Sequence, residues 1–219
     1  PVATAPGFNI RAKETLGTTA VPFIVSWPAA TDATSRIAGY ELAQRVDGGV
    51  WSIVAVLPGT VTSARRSLDP GHSYAWRIRA RDGVGNWSDP VASRDFKVLS
   101  IGERTSAVTY GGTWYTVTTS VAYGGTRRTT TAAGASATFK VYGTSAALIG
   151  TLGPTRGSAD VYVDGRKVAT VSEYESTTRN RAIVTYLQLG PLGNHTIVVR
   201  NLATARHPRF DVDGLILIR

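Results

Sequence analysis

The sequence predicts an all-β protein built as two antiparallel β-sandwiches in tandem. Three observations carry that prediction. Thr, Val, Gly, Ala and Tyr are abundant, as half-buried pleated strands prefer. No helical hydrophobic period is sustained anywhere, whereas short apolar alternations bounded by turn formers recur throughout. A length of 219 residues suits two domains of ordinary size, which we place at residues 5–98 and 99–219.

The first half opens with "VPFIVSW" (21–27), a strand that sets Val21, Phe23, Val25 and Trp27 on one face. "GYELAQRV" (39–46) follows, with Tyr40, Leu42 and Gln44 in alternation. The Asp47-Gly48-Gly49 turn leads to "WSIVAVL" (51–57). In "LDPGHSYAWRIRARD" (68–82), Tyr74, Trp76, Ile78 and Ala80 face one way and Arg77, Arg79 and Arg81 the other. The second half begins with the polar "SIGERTSAVTYGGTWYTV". It continues with "ATFKVYG" (137–143), "AALIGTL" (146–152), "RAIVTYLQL" (181–189), "HTIVVRNL" (195–202) and "RFDVDGLILIR" (209–219). The last of these is apolar enough for the middle of a sheet. Between them "GPTRGSADVYVDGRKVATV" (153–171) is a hairpin about Asp164-Gly165, preceded by an arginine held among turn formers.

The tryptophan closing the second-strand motif, the corner of Leu68, Pro70, Gly71 and Tyr74, and the trailing "GNWSDP" resemble a fibronectin type III domain. The resemblance implies that the Tyr74 hydroxyl ties its turn to the strand and that Trp27 is a core residue. It also implies that Arg77, Arg79 and Arg81 stack with Trp87 over the sheet face, as in the cytokine-receptor relatives of that fold. The alternative for these arginines is an anionic-ligand platform. This half reads as a spacer. The second half, through "GASATFKVYGTSAALIGTLGPTRGSADVYVDGRKVATV", "LGNHTIVVRN" and "FDVDGLILI", resembles the galactose-binding-like jelly rolls, similar to carbohydrate-binding modules, of secreted bacterial proteins. That resemblance implies a fold, and for the ligand only a class, since many such modules have no established one.

The chemistry available is narrow. With no Cys there are no disulfides, thiolate metal sites or cysteine nucleophiles. Of the three histidines, His72 and His195 have structural readings and His207 lies in a loop; no nucleophile elbow, zinc-binding helix motif or phosphate loop is present. The net charge of +9 comes from 20 Arg and 4 Lys against 15 acids. These charges are interspersed, with Arg65-Arg66, Arg127-Arg128 and Arg166-Lys167 the adjacent basic pairs, so nucleic acid is a poor fit. No apolar run approaches the roughly 18 residues of a membrane span, so no membrane insertion is expected. A chain that starts at Pro1 and lacks Met reads as a piece of a longer protein.

Carboxylates occur in pairs: Asp160 and Asp164, Glu173 and Glu175, Asp211 and Asp213. Asp164 is explained as a turn former. Asp211 and Asp213 share a strand face, where they either anchor loops or help hold a structural Ca²⁺. No other cofactor, no metal site and no catalytic residue is expected, and the chain is not read as an enzyme. What remains is binding. A sugar site wants an aromatic face with a few fixed polar groups. The expected carbohydrate-binding residues are Trp114, Arg156, Tyr174 and Arg181, with Asp211 as a polar anchor. Arg156 offers a planar fork to sugar hydroxyls or a uronate carboxylate; alternatively it pairs with Glu173 or Glu175 and staples two loops. Trp114 reads equally as a core residue.

These readings converge on a secreted or cell-surface, non-catalytic carbohydrate-binding or adhesion module with a fibronectin type III spacer, whose partner is a polysaccharide or cell-surface glycan. Two alternatives stand beside it. One is a structural unit of a surface fibre, stalk or phage appendage that self-associates through Thr-rich residues 113–120. The other is the accessory C-terminal end of a secreted glycoside hydrolase.

Overall fold

The computed structural model describes residues 1–17 and 20–219. It divides into two compact units, Pro1–Ile10 with Pro22–Val98, and Arg11–Val21 with Leu99–Arg219. Both are antiparallel β, and the all-β expectation holds.

In the first unit the strands are β1 (Gly7–Ile10), β2 (Val21–Ser26), β3 (Ile37–Val46), β4 (Ser52–Pro58), β5 (Ser63–Leu68), β6 (Ser73–Asp82), β7 (Val91–Ala92) and the first half of β8 (Phe96–Ile101). One sheet has the order β1-β2-β5; the other runs β8-β6-β3-β4, with β7 also on β6. The period-2 pattern explains the core. β2 buries Val21, Phe23 and Val25, and β6 buries Tyr74, Trp76, Ile78 and Ala80. Trp27 and Tyr40 meet edge to face at 5.6 Å. The Tyr74 hydroxyl donates to the Asp69 carbonyl at 3.0 Å and accepts from the Asp69 N–H at 3.1 Å, closing the corner. Strands β1, β5, β7 and β8 were not anticipated. β5, "SARRSL", carries too few apolar residues to announce itself.

The second unit contains β9 (Val108–Gly111), β10 (Tyr115–Thr118), a 3-10 turn at Tyr123–Gly125, β11 (Thr126–Thr130), β12 (Ser136–Leu152), β13 (Ser158–Val163), β14 (Arg166–Ser172), β15 (Arg179–Asn201), β16 (Phe210–Val212) and β17 (Gly214–Ile218). A large sheet runs β14-β13-β15-β12-β17, with β9 also on β12, and a small sheet runs β10-β11-β16. Phe139, Leu148, Val161, Ile197, Phe210 and Leu215 lie in the core between them.

Three expected boundaries change. Residues 137–143 and 146–152 form one strand, β12, bent where the register shifts between Gly143 and Ser145. A Cβ at Gly143 would stand 2.6 Å from the Ile218 carbonyl oxygen, so the bend depends on glycine. Residues 181–189 and 195–202 likewise merge into β15. The terminal strand instead divides at Asp213-Gly214, where Gly214 adopts φ +134°. β17 does lie inside its sheet, as its apolarity predicts. Finally, residues 11–17 belong by their contacts to the second unit. The Lys13 N–H donates to the Ile183 carbonyl at 2.7 Å and the Leu16 N–H to the Arg181 carbonyl at 2.9 Å.

Candidate functional site

The hairpin of β13 and β14 turns through Asp164 (φ 51°) and Gly165 (φ 81°), the positive-φ pair that a two-residue hairpin requires. The arginine turn before it is held from both sides. The Gly153 N–H donates to the Glu173 carbonyl and the Glu173 N–H to the Gly157 carbonyl, each at 2.8 Å; the Gly157 N–H donates to the Arg209 carbonyl, also at 2.8 Å. A Cβ on Gly157 would lie 1.9 Å from the His207 carbonyl oxygen, so no side chain fits there. Three segments, 153–157, 173–175 and 207–209, are thereby welded into one rim.

The weld turns Arg156 inward. Its side chain is buried, with Nε and Nη2 donating to Asp211 Oδ2 at 3.2 and 3.1 Å. Arg127 Nε stands 3.4 Å from the same oxygen, and Arg209 Nε donates to Oδ1 at 2.8 Å. Arg127 also donates to Thr151 Oγ1 and Asn180 Oδ1. The Asp211 N–H donates to Glu173 Oε2 at 2.7 Å. Glu173 is fully buried, and its Oε1 has no hydrogen-bond partner among the described residues. Burial, and secondarily the charge of Asp211, holds the Glu173 carboxyl well above the usual carboxylate range. Nearby, Asp213 takes the Tyr123 N–H on both oxygens, and burial pushes its pKa up to about 7.

Two expectations are corrected here. The turn does not display Arg156; its fork is spent on a buried carboxylate, and that carboxylate belongs to Asp211, not to Glu173 or Glu175. Glu175 pairs with Arg179 instead. Asp211 is wholly enclosed and out of reach of a ligand as a polar anchor. Three guanidiniums stand against it, so the charge around Asp211 is positive.

Tyr174 is different. Its side chain sits on the outer rim and is 53% exposed. Its ring lies 4.6 Å from that of His207, at 60°, and His207 Nδ1 donates to the Pro154 carbonyl at 2.8 Å. His207 is thus a rim residue that the sequence reading placed only in a loop. Thr155 and Arg206, both exposed, stand in the same welded segments or beside them. Trp114 is half-buried against the second core. Its ring is 5.2 Å from Tyr110, and its Nε1 donates to the Gly111 carbonyl. Arg181 is half-buried at φ 53° within β15, beside residues 11–17. No hydrogen bond, ion pair or ring contact joins Trp114 or Arg181 to Tyr174 among the described residues. The sequence shows Arg127 only as half of a basic pair and does not single out Arg209, although the alternation of Arg209 with Asp211 puts both on one strand face.

Residues 4–94 match the fibronectin type III domain family. A stretch of 83 residues is 42% identical to endoglucanase B of Cellulomonas fimi, covering 36% of this chain and 8% of that protein. The chain therefore spans a small fraction of the curated relative it matches. Among solved structures, the CBM36-1 domain of a multidomain xylanase from the hindgut metagenome of Trinervitermes trinervoides is 19% identical, with a TM-score of 0.37, over 57% of this chain and 96% of that one. The exo-β-1,3-galactanase of Phanerochaete chrysosporium is 12% identical, with a TM-score of 0.42, over 99% of this chain and 69% of that one.

Proposed function

We propose that the chain is a non-catalytic, extracellular polysaccharide-binding segment: a fibronectin type III unit followed by a galactose-binding-like sandwich that holds a glycan on its rim. The observation that carries this reading is Tyr174, a half-exposed ring propped by His207 on three segments that are locked together. A fixed aromatic face beside hydroxyl and guanidinium groups suits the apolar side of a pyranose. Of the groups that could otherwise do chemistry, Asp211 is committed to three arginines, Glu175 to Arg179 and His195 to Asp164, and Glu173 is wholly buried. The similarity to a protein named as an endoglucanase supports placing the segment as an accessory to a polysaccharide-degrading enzyme. A single shallow site implies weak binding that gains from multivalency.

The test is retention of the full chain on insoluble polysaccharides and a glycan array, with and without Ca²⁺. Retention on a neutral glycan that falls at least tenfold in Tyr174→Ala, with the fold intact, supports the site. Equal retention by Tyr174→Ala overturns it. A second reading has one specific support: β10 is an edge strand with Tyr115, Thr116 and Thr118 exposed, as a laterally pairing unit would need. Light scattering at micromolar concentration that shows dimers or larger species, abolished by Thr116→Lys, would favour the structural unit.

A further inference from the structure

The outer sheet face of the fibronectin type III unit has features that a spacer does not require. β6 alternates strictly, so Arg77, Arg79 and Arg81 project outward together. Two tryptophans lie among them. The guanidinium carbons of Arg45 and Arg77 stand 4.9 and 4.8 Å from the ring centre of Trp51, and those of Arg79 and Arg81 stand 4.3 and 5.7 Å from Trp87. The anticipated cation–π ladder is present in part: Arg79 and Arg81 stack on Trp87 as expected, whereas Arg77 stacks on Trp51 instead.

The arginines of the ladder are not used equally. Arg79 forks onto Glu41 at 2.7 and 2.8 Å, and Arg45 donates from Nη2 to both oxygens of Asp95 at 2.8 and 3.0 Å. The guanidiniums of Arg77 and Arg81 stack on the rings, and among the described residues neither side chain has a hydrogen bond or an ion pair. A guanidinium lying against an aromatic face keeps its N–H fork free at its edge, already oriented. Here two such forks face the same way from one strand, about 13 Å apart at four strand residues. Beside Arg81 and the exposed Trp87 a groove of about 380 Å³ is walled by Val56, Leu57 and Pro58.

We infer that this face binds a polyuronate: an acidic polysaccharide whose carboxylates are taken by Arg77 and Arg81 while a sugar ring lies against Trp87 in the groove. The planar fork matches a carboxylate bidentately, and the apolar wall needs a ligand whose acidic groups alternate with C–H ring faces. Diffuse attraction of any polyanion is a poor explanation. Residues 1–10 and 22–98 carry nine Lys and Arg against seven Asp and Glu, a surplus of only two. Recognition here rests on geometry more than on bulk charge. The surface is separate from Tyr174, so either proposal can fail alone.

The experiment is affinity electrophoresis of the full chain in gels containing polygalacturonate, its methyl ester or dextran sulfate, at about 0.15 M salt. The expected result is retardation by polygalacturonate but not by the ester. Arg77→Gln/Arg81→Gln then weakens binding at least tenfold. Arg77→Lys/Arg81→Lys, which keeps the charge and loses the fork, weakens it severalfold. Arg104→Gln/Arg166→Gln, on the second unit and outside the Tyr174 rim, leaves it unchanged. The inference is overturned if the ester retards equally, if either ladder variant binds like the parent with its tryptophan emission unaltered, if the second-unit variant loses as much, or if dextran sulfate binds equally well with the same losses.

Discussion

The two units use arginine in opposite ways. On the fibronectin type III face, Arg79 meets Glu41 with its own side chain more than a third exposed and a tryptophan ring beneath it. In the second unit, Arg156, Arg127 and Arg209 converge on Asp211, which has no exposure at all. The ion-pair distances are comparable, so distance does not distinguish the sites; solvent does. A pair with one exposed partner, as Arg79 is against the buried Glu41, can hand that partner's charge back to water when broken, whereas one enclosed on both sides leaves an uncompensated charge. The outer ladder is therefore free to serve binding, while the inner cluster serves to hold the rim in one shape.

The largest expected effect tests that contrast directly. Asp211→Asn removes the counter-charge of three arginines and should cost the second unit about 3–5 kcal/mol. Glu41→Gln leaves Arg79 in contact with Trp87 and water, and should cost under about 1 kcal/mol. The units can be followed separately during urea unfolding, because Trp27, Trp51, Trp76 and Trp87 lie in the first and Trp114 alone in the second. Far-UV dichroism reports both. Similar costs for the two substitutions would break the comparison. The Asp211→Asn rim should also loosen, lowering any glycan retention through Tyr174 even under conditions where the domain stays folded.

What the sequence disclosed follows from the same distinction. Strands whose inward residues are large and apolar, such as "VPFIVSW" and "SYAWRIRA", announce themselves through a local period of two. The Asp-Gly turn announces itself through residues that tolerate positive φ. The inner cluster has no local signature. Arg127, Glu173 and Asp211 come from segments far apart in the chain, and only the pairing of β11 with β16 brings Thr129 opposite Asp211. A charged residue in a turn reads as displayed or as a staple unless its partner is known, which is why both readings stood for Arg156 and neither named Asp211 as its partner. The exposure of Tyr174 was legible because it lies in a polar stretch with no apolar alternation to bury it. The merged strands β12 and β15 were hidden by glycines, which look like turns when read locally; in β12, Gly143 permits close backbone approach at a bend.

A smaller effect concerns the proton on Glu173. A carboxyl whose folded pKa is raised binds its proton more tightly folded than unfolded. Its contribution is therefore most favourable at low pH and is lost as pH rises from its unfolded value, about 4.5, toward the raised one. Glu173→Gln mimics the protonated acid and keeps the acceptor for the Asp211 N–H. The variant should match the parent near pH 4.5 and be more stable than it at pH 8, with the gap opening steadily in between. Thermal melts across that range would show it. A variant destabilised equally at every pH would mean that Glu173 works as an ion paired with the arginines, and that the cluster needs two negative charges.

The smallest effect sharpens the comparison with two turns built to one plan. Asp47 accepts the Ser73 N–H at 2.8 Å and contacts His72 Nδ1 at 2.6 Å; Asp164 accepts the Thr196 N–H at 2.8 Å and contacts His195 Nδ1 at 2.7 Å. Both aspartates have positive φ and both carboxyls are held below the usual range, Asp47 chiefly by the Ser73 N–H and Asp164 chiefly by His195. The difference is again burial, since the His72 side chain is 51% exposed and that of His195 10%. Asp164, through a hydrogen bond, and then the Pro191 carbonyl raise the His195 pKa. A raised histidine stabilises fully below its unfolded value of about 6.5, and that stability is lost as pH climbs through the raised value. The lowered Asp164 contributes above about 3.8 and is lost as pH falls. The pair should thus stabilise the hairpin most between those limits. His195→Gln should cost under about 1 kcal/mol at pH 5.5 and less at pH 8. His72→Gln, half in water, should cost less than His195→Gln at pH 5.5, and the reverse order would show that the turn plan matters more than enclosure.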